Sequence, residues 1–216
     1  MTEFPWRLVT VDIDGTLTVG HGWRPIAVAF GRLAEFDSTH RRFHAHEIGE
    51  DEHLANLLAL AEGHTVREVE AILEGTPRLS GIREGVAELV RLRAVPALLS
   101  HNPGYVVDWY RRTFGFRDAE GVPLPPPEDG RIPAPGPVRA NKEGGLRALL
   151  QRSGASPRQT VHVGDGWADA ELFRRVGGGV SVNTTRPEVA EAADVALTTR
   201  DFRDVVDALR RLSPRA

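Results

Sequence analysis

Arg7-Leu8-Val9-Thr10-Val11-Asp12-Ile13-Asp14-Gly15-Thr16-Leu17-Thr18 is the stretch on which the fold turns. Arg7 to Val11 is rich in β-formers and predicts a strand, and the acids and glycine that follow predict a polar loop at its end. From 19 to 80 the apolar residues recur at helical spacing, in Ile26–Phe36, Leu54–Ala61 and Val66–Leu73, without a clear strand. After Gly81 the strand–loop–helix order resumes: helix Val86–Arg93, a short strand Val95–Leu99 ending at Ser100, and a helix from Gly104 to Phe114. The Pro-rich stretch Val122–Pro137 can be neither a regular helix nor a central strand, and an edge hairpin around Asp129-Gly130 is one option for it. Lys142 starts a helix Glu143–Arg152, and Thr160–Val163 forms a strand that ends at Gly164-Asp165-Gly166. Helix Ala168–Val176, strand Gly179–Val182, helix Pro187–Ala192, strand Val195–Leu197 and a closing helix Asp201–Leu212 complete the pattern. Strands alternating with helices predict an α/β fold, a Rossmann-like doubly wound parallel sheet. The expected division is a core of 1–18 and 81–216, with a small helical cap domain, 19–80, inserted after the first strand.

Composition sets the outer bounds. The 216 residues are 41% hydrophobic and 26% charged, enough for a sizeable core and ordinary for a globular chain. A net charge of -3 without a basic block argues against general nucleic-acid binding. Cysteine is absent, which excludes disulfides, thiolate metal sites and cysteine nucleophiles. The start Met-Thr-Glu-Phe-Pro-Trp-Arg lacks the pattern of a signal peptide and no apolar run reaches membrane-spanning length, so a cytoplasmic protein without a membrane partner is expected. Nothing here fixes the oligomeric state. Among 27 Lys and Arg residues, Lys142 is the only lysine, a compact ammonium where a planar guanidinium would not do the same work.

Ligands of doubly wound sheets sit at the carboxyl ends of the strands. The predicted polar residues there are Asp12, Asp14, Ser100, Asp165 and Asp169, with Lys142 opening a helix nearby. Together they meet the needs of phosphomonoester hydrolysis. Asp12 can act as a nucleophile, splitting one hard displacement into two easier ones. Asp14 can protonate the leaving oxygen and then activate water. Asp165 adds an oxygen ligand for Mg²⁺, Lys142 a second cation, and Ser100 and Thr16 hydrogen bonds to phosphoryl oxygens. Taken singly these residues have ordinary readings: acids in a turn are common, and a serine after a strand is usually a helix cap.

At these residues the chain resembles the haloacid dehalogenase superfamily, in its phosphoserine-phosphatase-like branch. Asp12-Ile13-Asp14-Gly15-Thr16 resembles the first motif, Ser100 the second, Lys142 the third, and Gly164-Asp165-Gly166-Trp167-Ala168-Asp169 the fourth. The resemblance implies a metal held by the Asp12 carboxylate, the main-chain oxygen of Asp14 and the Asp165 carboxylate, with Asp169 behind the metal or as an alternative ligand. It also implies a cap over the strand ends, and Asp14 favours a phosphatase over the metal-free dehalogenases. The positions that hold the amine and carboxylate of phosphoserine in that branch fall on His21 and Leu57, which cannot take over those roles. His101-Asn102 replaces a common glycine pair, and Ala168 a usual asparagine.

The expectation is therefore a small phosphorylated metabolite other than phosphoserine, with His21, Trp23, Arg24, His101 and Asn102 as candidate specificity residues. His40, His44, His46 and His53 in the cap are read as exposed polar residues in preference to a metal cluster. Three rivals stay open: phosphoserine phosphatase proper, phosphoryl transfer to an alcohol, and a catalytically silent binding module.

Overall fold

The computed structural model describes residues 4–127 and 129–215. Its centre is a six-stranded, all-parallel sheet in the order β3-β2-β1-β4-β5-β6. The strands are β1 Leu8–Val11, β2 Val95–Pro103, β3 Asp118–Val122, β4 Thr160–Gly164, β5 Gly178–Val182 and β6 Val195–Leu197. β1 is buried at every residue because helices cover both faces of the sheet. Val9 and Val11 join one cluster with α5 (Ile82–Arg91), α6 (Gly104–Phe114) and α10 (Phe202–Arg211). Leu8 faces the opposite cluster, built on α7 (Lys142–Ser153) and α8 (Trp167–Phe173). The alternation follows from the period of two along a strand. Each such fully buried aliphatic side chain contributes about 1.5–3 kcal/mol.

Between β1 and α5 the chain passes through four helices: α1 Trp23–Ala29, α2 Leu33–His44, α3 Glu50–Ala59 and α4 Val66–Gly75. The expected helix Ile26–Phe36 is two helices, broken where Gly31 takes a left-handed conformation at φ 70°. α4 begins with a capping box, in which Thr65 and Glu68 satisfy each other's backbone amides. The two ends of the insert meet in an antiparallel bridge between Thr18 and Arg78.

β3 was not legible as a strand, since Asp-Ala-Glu-Gly-Val carries little β propensity. Pairing with β2 imposes it, and Arg152 bonds Asp118 at 2.9 Å and Glu120 at 2.6 Å along this sheet edge. The Pro-rich stretch forms no hairpin among the described residues. Instead Arg131 bridges to Thr65 and Ile132 is buried at 2% exposure, so the segment straps onto the loop before α4. Proline's missing N–H leaves it little to contribute to a second hairpin strand. α9 (Pro187–Ala192) and α10 complete the core, and no helix among the described residues is long and apolar enough to cross a membrane.

Candidate active site

β1 lies between β2 and β4, so the chain's successive connections leave it in opposite directions and open a crevice at the strand ends. Asp12 follows β1, Asp165 follows β4, and Ser100 lies in the carboxyl half of β2. Lys142 is the first residue of α7, whose start is fixed by Asn141 accepting from the Gly144 amide at 2.8 Å. These side chains line one cavity of about 760 Å³, whose far wall is His40, Phe43, His53, Leu54 and Leu57 of the inserted helices. Gly15 makes the turn after β1 at φ 77°, where a side chain is strained, and a Cβ there would stand 2.3 Å from Asp165 Oδ2 and displace that carboxylate.

Lys142 Nζ stands 3.1 Å from Asp12 Oδ1 and 2.6 Å from Asp169 Oδ1. Asp169 is 1% exposed, and Oδ1 also bonds His162 Nε2 at 2.8 Å while Oδ2 accepts the amides of Asp165 at 3.0 Å and Gly166 at 2.9 Å. A carboxylate can only accept, so His162 Nε2 carries a proton and, in the neutral ring, Nδ1 accepts from Thr10 Oγ1 2.8 Å away. Asp169 is thus a buried anchor for Lys142.

Burial pushes the Asp12 carboxyl up to about 6, with Asp169 and Asp14 adding to the rise and Lys142 opposing it. Burial also raises Asp165 well above the usual carboxylate range, and the charges of Asp12 and Asp169 raise it further. For Lys142 burial works against the charge, but Asp12 and Asp169 outweigh it and the ammonium is held well above its usual value. Burial would raise Asp169 too, yet Lys142 and His162 hold it far below.

Asp14 Oδ1 accepts from the Gly22 amide at 2.8 Å, and Oδ2 from Asn102 Nδ2 at 2.9 Å. Asn102 Nδ2 also reaches Ser100 Oγ at 3.0 Å, and its Oδ1 accepts from Trp23 Nε1 at 2.9 Å. A Cβ at Gly22 would lie 2.3 Å from Asp14 Oδ1, so the insert's first loop closes directly on this acid. Burial raises the Asp14 pKa, against the hydrogen bonds from Asn102 and Gly22.

Several expectations change. Trp23 and Asn102 form a relay that orients Asp14 and Ser100, because their polar atoms are consumed by one another and by these two residues. Arg24 is exposed and outside the cavity, whereas His21, Trp23 and His101 line it. Thr16, 1% exposed, donates its hydroxyl to Asp165 Oδ1 at 3.0 Å and so supports that carboxylate. Asp169 has four donors on its two oxygens, which leaves Asp12 and Asp165 better placed to bind an ion. The exposed reading of the insert's histidines holds for His44 and His46. It fails for half-buried His40 and for His53, 8% exposed, because α2 and α3 pack together and bring them face to face with His21.

Sequence reasoning missed Arg186, whose guanidinium lies 4.5 Å over the Trp167 ring and 3.8 Å from Asp165 Oδ2. It also missed Thr184, which donates to the Asp165 main-chain oxygen at 2.7 Å. Both follow β5, so the strand-end rule that found Asp165 reaches them as well. Glu50 and Trp167 also line the cavity: Glu50 Oε1 is 3.4 Å from His101 Nδ1, and Trp167 meets Phe43 of α2 at 5.6 Å.

Comparison with known proteins agrees with this architecture. A phosphoserine phosphatase of Methanocaldococcus jannaschii is 22% identical over 204 residues, 93% of this chain and 96% of that one. A phosphoserine phosphatase of Archaeoglobus fulgidus is 26% identical over 208 residues, 94% of this chain, which spans 60% of that relative's length. A substrate-bound phosphoserine phosphatase complex superposes with a TM-score of 0.79 at 22% identity, covering 94% of this chain and 98% of the other, and so shares the fold. The model of the haloacid dehalogenase-like hydrolases matches residues 6–177, and with that match the chain belongs to the haloacid dehalogenase-like hydrolase family.

Proposed function

We propose that this chain is a Mg²⁺-dependent phosphatase that hydrolyses a small phosphomonoester through an aspartyl-phosphate on Asp12, with residues 19–80 acting as a cap domain over a core of 1–18 and 81–216. The carrying observation is that Asp12 emerges from β1 3.1 Å from Lys142, with Asp14 fixed two residues on by Gly22 and Asn102. An Asp12 oxygen forms the bond to phosphorus while the ester P–O bond breaks, and Asp14 gives its proton to the departing oxygen. Asp14, now ionised, takes a proton from water as that water attacks phosphorus, releasing phosphate and restoring Asp12. Lys142 offsets negative charge at the nucleophile, and Ser100 offers a hydroxyl to a phosphoryl oxygen.

Oxygen atoms of Asp12, Asp165 and Asp169 lie within 4.8 Å of one another, a hard donor set with more negative charge than Lys142 balances. That fits Mg²⁺, which Asp12, Asp165 and the Asp14 main-chain oxygen would hold. Bound there, the ion neutralises phosphoryl charge.

The relatives' names favour L-phosphoserine as a second reading of the substrate, and Glu50 and Arg186 place an acid and a cation in the cavity wall. Against it stand His21 and Leu57, together with the engagement of Glu50 by His101 and of Arg186 by Trp167 and Asp165. The test is kcat/KM over amino-acid, sugar, nucleotide and aryl phosphates, with Mg²⁺ and with chelator. Hydrolysis that stops in chelator and returns with Mg²⁺ is expected, and full activity in chelator overturns the metal requirement. A tenfold lead for L-phosphoserine, about 1.4 kcal/mol in transition-state binding, establishes the second reading. Products formed with added alcohols separate hydrolysis from transfer, and inactivity on every ester supports a silent binding module.

A further inference from the structure

Across the cavity from the carboxylates, three imidazoles converge from separate parts of the insert: His21 from the loop before α1, His40 from α2 and His53 from α3. One ring nitrogen from each lies within 4.8 Å of the other two. Ring centroids are 5.3 Å apart for His21 and His40, 6.0 Å for His40 and His53, and 6.4 Å for His21 and His53. Imidazoles on a tetrahedral ion with bonds of about 2.0–2.1 Å place their centroids about 5 Å apart, so closure takes roughly 1 Å of movement. The rings already have a scaffold. Phe43 stacks on His53 at 4.2 Å, while Phe36 stacks on His40 at 5.4 Å and meets the edge of His21 at 5.3 Å.

His40 Nδ1 and His53 Nε2 are buried without a hydrogen-bond partner among the described residues, and such atoms are uncommon in folded proteins. No acidic side chain among the described residues bonds any of the three rings. Burial lowers His21 and His40 to about 4 and His53 to about 3, so at neutral pH their lone pairs are not taken by protons. One competing use exists: His21 Nδ1 accepts a long 3.3 Å bond from the Trp23 amide, which binding through Nε2 would have to give up.

We propose that His21, His40 and His53 form a second metal site, for a divalent ion of borderline-soft character such as Zn²⁺. Three neutral nitrogen donors suit zinc and its transition-metal neighbours and disfavour Mg²⁺, which selects oxygen. All three residues line the cavity, so an ion held by them faces it. The site stands independently of the phosphatase reading.

The test titrates metal-free, full-length protein with Zn²⁺ and Co²⁺ in excess Mg²⁺. The expected result is one tightly held equivalent, with Co²⁺ giving the strong visible absorption of a four- or five-coordinate ion. His40→Gln and His53→Gln each weaken binding tenfold or more, while His44→Ala and Asp165→Asn leave it in place. Asp165→Asn separates the two readings, because it removes a proposed Mg²⁺ ligand without touching the imidazoles. Binding that is equally tight in wild type and both Gln variants, or that is lost with Asp165→Asn alone, overturns the site. If circular dichroism shows that a Gln variant does not fold, the wild-type Co²⁺ spectrum decides: weak octahedral bands or none contradict the proposal.

Discussion

At the sheet end, Asp12, Asp165 and Asp169 crowd together, with Lys142 paired to Asp12 and Asp169; across the same cavity, His21, His40 and His53 crowd around each other with no acid bonded to them among the described residues. Burial acts on both groups by disfavouring charge, and the chemistry of each group gives that pressure opposite signs. The carboxyls of Asp12 and Asp165 are pushed up, while the imidazoles are pushed down. Only the carboxylate group contains a fixed counter-charge, which lets Asp169 stay ionised at 1% exposure. The Asp169–Lys142 pair therefore keeps its charge, while the three imidazoles across the cavity stay neutral.

The comparison breaks most visibly at Asp169. Asp169→Asn removes the anchor of Lys142 and the partner of His162, and loss of one partner from a buried ion pair costs about 3–5 kcal/mol. Chemical denaturation should show that loss, with a fall in kcat as Lys142 is freed. An unchanged midpoint would mean that Asp12 alone holds the ammonium.

Next in size is Asn102→Ala, which cuts the relay from Trp23 to Asp14 and Ser100. The expected outcome is a drop in kcat of about 10- to 100-fold with KM nearly unchanged, since the acid is misoriented and the cavity wall is intact. A change confined to KM would return Asn102 to substrate recognition.

The two clusters also impose opposite pH slopes on stability in metal-free protein. The imidazoles, lowered from 6.5 to about 4 or 3, bind protons more readily when unfolded, so stability is lost as pH falls below about 6.5. Asp12, raised from 3.8 to about 6, binds its proton more readily when folded, so its contribution is present at low pH and lost as pH rises through about 6. The difference in Tm between wild type and His40→Gln/His53→Gln, followed from pH 7 to 4, isolates the first slope. The double variant should lose less stability on acidification than wild type, and parallel curves would show that the rings are not held neutral. The smallest effect belongs to Arg24→Ala: at an exposed position outside the cavity, stability should move by less than about 0.5 kcal/mol and kcat/KM by less than about twofold.

Asp12, Asp14, Lys142 and Asp165 were legible in the sequence because residue type and place after a strand, or at a helix start, carry their positions. The parallel sheet was legible for the same reason, as alternation of apolar runs with helical periods. β3 was not, since its pairing is imposed by β2 on residues without strand propensity. His162 reads as one more residue of a buried strand until α8 sets Asp169 beside it. The relay from Trp23 and the histidine cluster join residues far apart in sequence, and only the packing of the insert brings them together.

The steric course at phosphorus tests the central claim most directly. Each in-line displacement inverts the phosphoryl group, so attack by Asp12 followed by attack of a nucleophile on the aspartyl-phosphate gives net retention. With a phosphorothioate monoester made chiral by 16O and 18O and hydrolysed in water enriched in 17O, the account predicts inorganic thiophosphate of retained configuration, and no product from Asp12→Asn. Inversion at phosphorus would show direct attack on the substrate and contradict the role given to Asp12.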